Sequence, residues 1–262
     1  MWKYLLVLLL TITPFVHPCN ASPPFLPGER ISYTVRWMKI KAGQMSLEVA
    51  PMASVMGQTC WHFIMEGRSS GFVDVFYKVR DRIDAYTDMD MTHSVFYAKK
   101  TRGSKNKDER IEFDWAQGQA SYIKNGTLRK TVKVPPGTFD PFSVFYFFRL
   151  KSFTPGKIIR ASVSNGKKCV MGEGRVVGRE TITVQDRLYD CVVVIPDLKH
   201  IGGAFRHGRD ASMKMWLTSD PRHIPVKIET KVKVGTITVE LDSFSPGDLG
   251  LNNGLTFGLL GR

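Results

Sequence analysis

Asp140, Ser143, Tyr146 and Arg149 recur at every third position, close enough to a helical repeat to gather them near one side of a helix. A serine nucleophile is the reactive reading of this set, but no GxSxG elbow surrounds Ser143 and no histidine lies nearby to take its proton. Capping explains the spacing with fewer assumptions. Asp140 would be the N-cap, Ser143 would satisfy the first turn, and Tyr146 and Arg149 would tie the helix to its neighbours. A second group, Ser219-Asp220-Pro221-Arg222-His223 with Trp216 nearby, contains an acid and a base in Asp220 and His223. Without a nucleophile or a metal set, a turn in which Asp220 bonds local backbone and Pro221 fixes φ fits better. Asp81 and Asp84 would fall on opposite faces of a regular strand, so they make no carboxylate pair of the glycosidase kind.

His62, His93, His200, His207 and His223 show neither HxH nor HExxH spacing. A metal held by His200 and His207 across a Gly-rich loop is conceivable, but the expectation is no metal and no cofactor. Charge says more. The formal net charge is +13, and Lys99, Lys100, Arg102, Lys105, Lys107 and Arg110 crowd a stretch that holds only Asp108 and Glu109 in return. That stretch reads as a basic loop, and Lys199–Arg209, with Arg206 and Arg209, reads as a second. Two readings stand: contact with an anionic partner such as lipid headgroups or an envelope polymer, or a solvated surface that aids solubility.

The N-terminus disfavours nucleic acid as that partner. Lys3, the apolar run Tyr4–Ile12 and the small residues up to Ala21 have the order of a secretory signal peptide, with cleavage expected after Ala21. The run is too short to cross a bilayer, so no transmembrane anchor is expected. Acylation at Cys19 is disfavoured because His17 and Pro18 precede it where cleavage needs small residues. The expectation is a soluble, exported, periplasmic chain. Cys60, Cys169 and Cys191 remain after cleavage, with no CxxC spacing, and packing is favoured over a disulfide.

The elements that must position these residues are mostly strands. Alternation of period two runs through Ile31–Trp37, Gly43–Val49, Cys60–Met65, Val79–Tyr86 and on to Thr236–Leu241, with turns at Lys39–Ala42, Asn125-Gly126, Asn165-Gly166 and Gly235. One stretch has helical spacing, Pro141–Lys151, and Gly71–Tyr77 could form a second short turn or helix. The first is apolar around most of its circumference, so it must be sandwiched. The expected fold is all-β: a strongly curved antiparallel sheet or incompletely closed barrel wrapping an apolar helix. Residues 22–244 would form one domain and 245–262 a mobile tail.

Several ordered patterns resemble a bacterial family catalogued as domain of unknown function 3108. They are Pro27-Gly28-Glu29 with Tyr33, Val35 and Trp37, then Ala42-Gly43, Asp81, Asp84, Phe113-Asp114, the Asp140–Arg149 set with Pro155-Gly156, and Trp216, Ser219-Asp220, Arg222, Pro225-Val226 and Gly235. The resemblance implies export to a Gram-negative envelope and an all-β fold, with no established activity. The leading expectation is therefore a non-enzymatic periplasmic protein that binds an apolar or amphipathic envelope component. Phe142, Phe145, Tyr146, Phe148 and Arg149, with Trp37 and Trp216, would line its site, and the basic loops would meet the anionic part. The alternatives are an assembly factor with a filled core that binds another envelope protein, and a hydrolase of an envelope polymer using Asp220 and His223.

Overall fold

The structure, a computed structural model, describes residues 23–76, 78–197, 212–232 and 235–248. The signal peptide, Cys19, the basic stretch with Arg206 and Arg209, His200, His207 and most of the C-terminal tail lie outside those residues.

Among the described residues fifteen strands form one sheet: β1 (Arg30–Trp37), β2 (Ile40–Val55), β3 (Gln58–Ser69), β4 (Val79–Asp88), β5 (Ser94–Gly103), β6 (Lys107–Asp114), β7 (Gln119–Lys124), β8 (Thr127–Lys133), β9 (Thr138–Phe139), β10 (Ile158–Ser164), β11 (Cys169–Val184), β12 (Arg187–Pro196), β13 (Met213–Thr218), β14 (Pro225–Lys231) and β15 (Thr236–Ser245). Two helices interrupt them, α1 (Phe72–Phe76) and α2 (Ser143–Arg149). Most chain neighbours pair as antiparallel hairpins. Pairing of β1 with β15 joins the two halves of the chain in the middle of the sheet, and β9 alone pairs in parallel, with β10.

Hydrogen bonding leaves the sheet open, with β8 at one edge and β9 at the other. Side-chain contact brings its distant parts together. In the turn after β10, Lys167 lays its ammonium 4.1 Å from the Tyr122 ring of β7, and a Cβ added to Gly166 would come within 2.9 Å of the Tyr122 Cβ. The edge strand β8 is exposed along nearly its whole length and carries Arg129, Lys130 and Lys133 with no acidic residue.

Alternation decides which face is buried. Ile31 and Tyr33 on β1, Leu47 on β2, Phe63 on β3 and Ile83 and Ala85 on β4 point to the concave side and form one core with Tyr146 of α2. The Tyr146 ring stacks on Phe63 at 3.9 Å and meets Phe25 edge-on at 5.3 Å. A second cluster, Phe153, Ile159, Val176, Val192, Val194 and Leu217, gathers around Phe148 and Met215. Close strand approach needs glycine at position 43, where a Cβ would lie 2.3 Å from the Arg68 carbonyl oxygen.

Several boundaries differ from expectation. The helix expected over 141–151 spans Ser143–Arg149, because its last turn tightens: Leu150 N–H bonds Phe147 O at 3.2 Å and Lys151 N–H bonds Phe148 O at 2.9 Å. The basic "loop" at 99–110 is two paired strands, β5 and β6, joined by a short turn. Residues 169–171 and 175–184 belong to one strand, β11, and β9 had no pattern to announce it. The first turn sits at Met38-Lys39 rather than Lys39–Ala42.

Candidate functional site

The helix is held from inside. Arg149 is 1 % exposed, and its guanidinium grips the Glu29 carboxylate through two bonds of 2.6 and 3.0 Å. It also donates to the Arg222 carbonyl at 3.0 Å and lies over the Phe25 and Tyr146 rings. At the other end of α2, the Asp140 carboxylate accepts the backbone N–H groups of Phe142 at 2.8 Å and Ser143 at 2.9 Å, and the Ser94 hydroxyl at 2.6 Å. Burial pushes the Asp140 carboxyl up, against the bonds from Ser143, Ser94 and Phe142 that pull it down.

These contacts place the expected ligand-binding residues in the core. Phe142, Tyr146 and Arg149 are buried, and Phe145 and Phe148 are half-buried against the two clusters. Trp216 is buried too, with its indole N–H on Glu180 at 2.7 Å and the ammonium groups of Lys214 and Lys227 near its ring. Trp37 stands apart at the end of β1, half-buried.

Asp220 and His223 face different partners. The Asp220 carboxylate binds the Arg222 guanidinium at 2.6 Å and accepts from its backbone N–H at 2.9 Å and from Thr218. His223 Nδ1 meets the Arg149 carbonyl at 2.9 Å, and its ring packs edge-on against Phe153. The pair is therefore split between a surface turn and the end of α2. Asp81 and Asp84 also separate, the first binding Lys99 at 2.8 Å and the second binding Arg82 at 2.8 Å and His62 at 3.0 Å. Cys60, Cys169 and Cys191 are free thiols.

The basic stretch is divided in the same way. Lys99 is neutralised by Asp81 and Arg102 by Asp108 at 2.6 Å, while Lys100 and Lys105 are exposed and Lys107 is half-buried. Register then brings in cations that no local pattern marked. Arg68, Arg80 and Arg102 stand directly opposite one another on β3, β4 and β5, on the convex face. Like charges in that position repel, so the row must be compensated or used. Asp74 of α1 compensates Arg80 at 2.6 Å, and the Arg80 and Ser69 hydrogen bonds hold its carboxyl down at about 2. Among the described residues Arg68 has only the neutral Gln44 amide, at 2.7 Å.

Beside this row the convex face sinks into a trough of about 530 Å³. Ser32 and Ser46, opposite each other on β1 and β2, are too small to fill it, and Arg30, Glu66, Arg68, Arg80 and Arg82 wall it. A second cavity of about 510 Å³ lies between Arg187–Asp190, the Asp220 turn and Phe244. Neither is lined by a residue of α2. Four guanidiniums and the Ser32 and Ser46 hydroxyls line the trough against the carboxylates of Glu66, Asp81 and Asp242, and among the described residues the Arg68 guanidinium has no carboxylate of its own, so the trough is suited to an anion or a polyhydroxylated group.

An open, strongly curved antiparallel sheet wrapped around a short helix defines a β-barrel-like protein. The chain belongs to the family described as "Protein of unknown function (DUF3108)", which it matches over residues 32–242. Among solved structures it is similar to a "Beta-barrel-like Protein of Domain of Unknown Function DUF1849" from Brucella abortus. That likeness is at 11 % identity and a TM-score of 0.53, over 86 % of this chain and 99 % of that one, and it is a likeness of fold. A "putative lipoprotein" from Parabacteroides distasonis is 10 % identical over 85 % of this chain and 98 % of that one, with a TM-score of 0.31. No curated protein matches. Among the described residues, no helix is long and apolar enough to cross a membrane.

Proposed function

We propose that this protein is a non-catalytic component of the bacterial cell envelope, exported to the periplasm, that binds the anionic group of an envelope lipid or envelope polymer in the convex trough. The observation that carries this reading is the Arg68–Arg80–Arg102 row, with Arg68 paired to no carboxylate among the described residues, at the rim of a cavity large enough for a headgroup. Exposed Lys100 extends the cationic surface on the next row. Because α2 occupies the concavity and lines neither cavity, this reading rests on the anionic part of the ligand rather than on an acyl chain.

Calorimetric titration with water-soluble short-chain phosphatidylglycerol, and with an anionic polysaccharide, tests this reading. The expected result is saturable binding that weakens with salt, and a loss of about tenfold or more in Arg68→Ser, as for a charged hydrogen bond. Equal affinity in Arg68→Ser, or no binding of either probe, overturns it.

A further inference from the structure

The sheet has two ends: one exposes Met56, Met89 and Leu188 at turns that also carry Asp90 and Asp186, whereas the other sets its apolar tips among lysines. The turn from β1 to β2, the link from β3 through α1 to β4, and the turn from β5 to β6 all lie at that end, as the pairings Trp37↔Ile40, Arg68↔Arg80 and Thr101↔Lys107 require. β15 starts there too, with Ile237 opposite Trp37. Large apolar side chains are displayed along it: Met38 is 54 % exposed, Ile40 55 %, Val75 80 % and Phe76 81 %. The last two form the outward tip of α1, which Asp74 anchors to β4 through Arg80.

Exposed lysines interleave with them. Lys39 and Lys41 flank Ile40, Lys78 follows α1, and Lys105 tips the neighbouring turn; among the described residues none of the four is in an ion pair. The acidic residues at this rim, Asp74 and Asp108, are already held by Arg80 and Arg102. Apolar tips within a ring of uncompensated cations match the two components of an anionic bilayer surface, an acyl boundary below and phosphates above. A second copy of the chain would meet the rim with the same positive charge and be repelled.

We propose that this rim docks on an anionic lipid bilayer, with Val75, Phe76, Met38 and Ile40 entering the headgroup boundary and the four lysines contacting lipid phosphates. The side chains that would touch the bilayer are separate from Arg68 and its trough, so either proposal can fail alone.

Co-sedimentation of the exported, processed chain with phosphatidylcholine vesicles, with and without phosphatidylglycerol, is the test. The expected result is partitioning onto the phosphatidylglycerol vesicles that salt reverses. The paired variant Val75→Ser/Phe76→Ser should lose at least about tenfold in partitioning, since each is a large apolar side chain leaving the interface. Lys39→Gln/Lys41→Gln should also lose about tenfold or more, at roughly fivefold per cation. Unchanged thermal unfolding shows that these exposed substitutions leave the fold intact, and Arg68→Ser should keep vesicle partitioning. Absence of partitioning, equal partitioning without phosphatidylglycerol, or unchanged partitioning in both paired variants overturns the proposal. So does a dimer in sedimentation velocity that Phe76→Ser dissociates, which would assign the rim to a second copy.

Discussion

Arg149 and Glu29 form an ion pair with 1 % and 3 % of their side chains exposed, in a chain whose other ion pairs are mostly at the surface. Two charges taken out of water are costly, and here four hydrogen bonds from the guanidinium and two aromatic rings offset that cost. Removing one partner strands the other. Arg149→Met should destabilise by about 3–5 kcal/mol in urea unfolding, whereas Arg149→Met/Glu29→Leu should recover most of that loss, as replacement of buried pairs by apolar residues does. The sequence announced Arg149 through its spacing with Asp140, but its partner lies 120 positions away and nothing local pointed to it. The same limit hid the arginine row. Arg68, Arg80 and Arg102 are scattered in the chain, and only strand register makes them neighbours.

At the level of elements, legibility followed locality. Asn125 and Gly126 have φ of 49° and 79°, the positive values that a tight two-residue hairpin turn requires, and Asn-Gly marks such a turn in the sequence. The helix was readable from its apolar spacing and from Asp140, although the regular helix begins only at Ser143 and the carboxylate caps the turn before it. Asp140 also gives α2 a pH dependence. Burial raises its carboxyl in the native state, so the folded chain holds that proton more tightly than the unfolded chain does, whose value lies near ~3.9. Stability from this group is therefore complete at low pH and declines as pH rises from the unfolded value through the native one. Asp140→Asn should remove that decline, seen as a flatter plot of unfolding midpoint against pH across the acidic range.

For the whole molecule, alternation in the sequence was enough to specify a curved all-β sheet around a helix, but not how its far parts meet. That depends on Gly166, with φ of 74° and Tyr122 against it, a contact between segments that no periodicity encodes. Gly166→Ala should destabilise by about 1–3 kcal/mol through crowding and a left-handed backbone, and amide exchange in β7 and β10 should speed up. A shift confined to the turn itself, with β7 unchanged, would show that this contact does not hold the two parts together.

The open sheet also bears on how the protein behaves in a crowd. Among the described residues strand β8 pairs with β7 alone, which leaves its outer backbone groups open to an extended chain that approaches. Two molecules meeting β8 to β8 would bring Arg129, Lys130 and Lys133 of each together on the two faces of the joint, with no carboxylate of either β8 between them. Electrostatic repulsion thus does for this edge what hydrogen-bonded closure into a barrel or a covering helix does in other folds. That repulsion weakens as the surrounding ionic strength rises and the charges are screened.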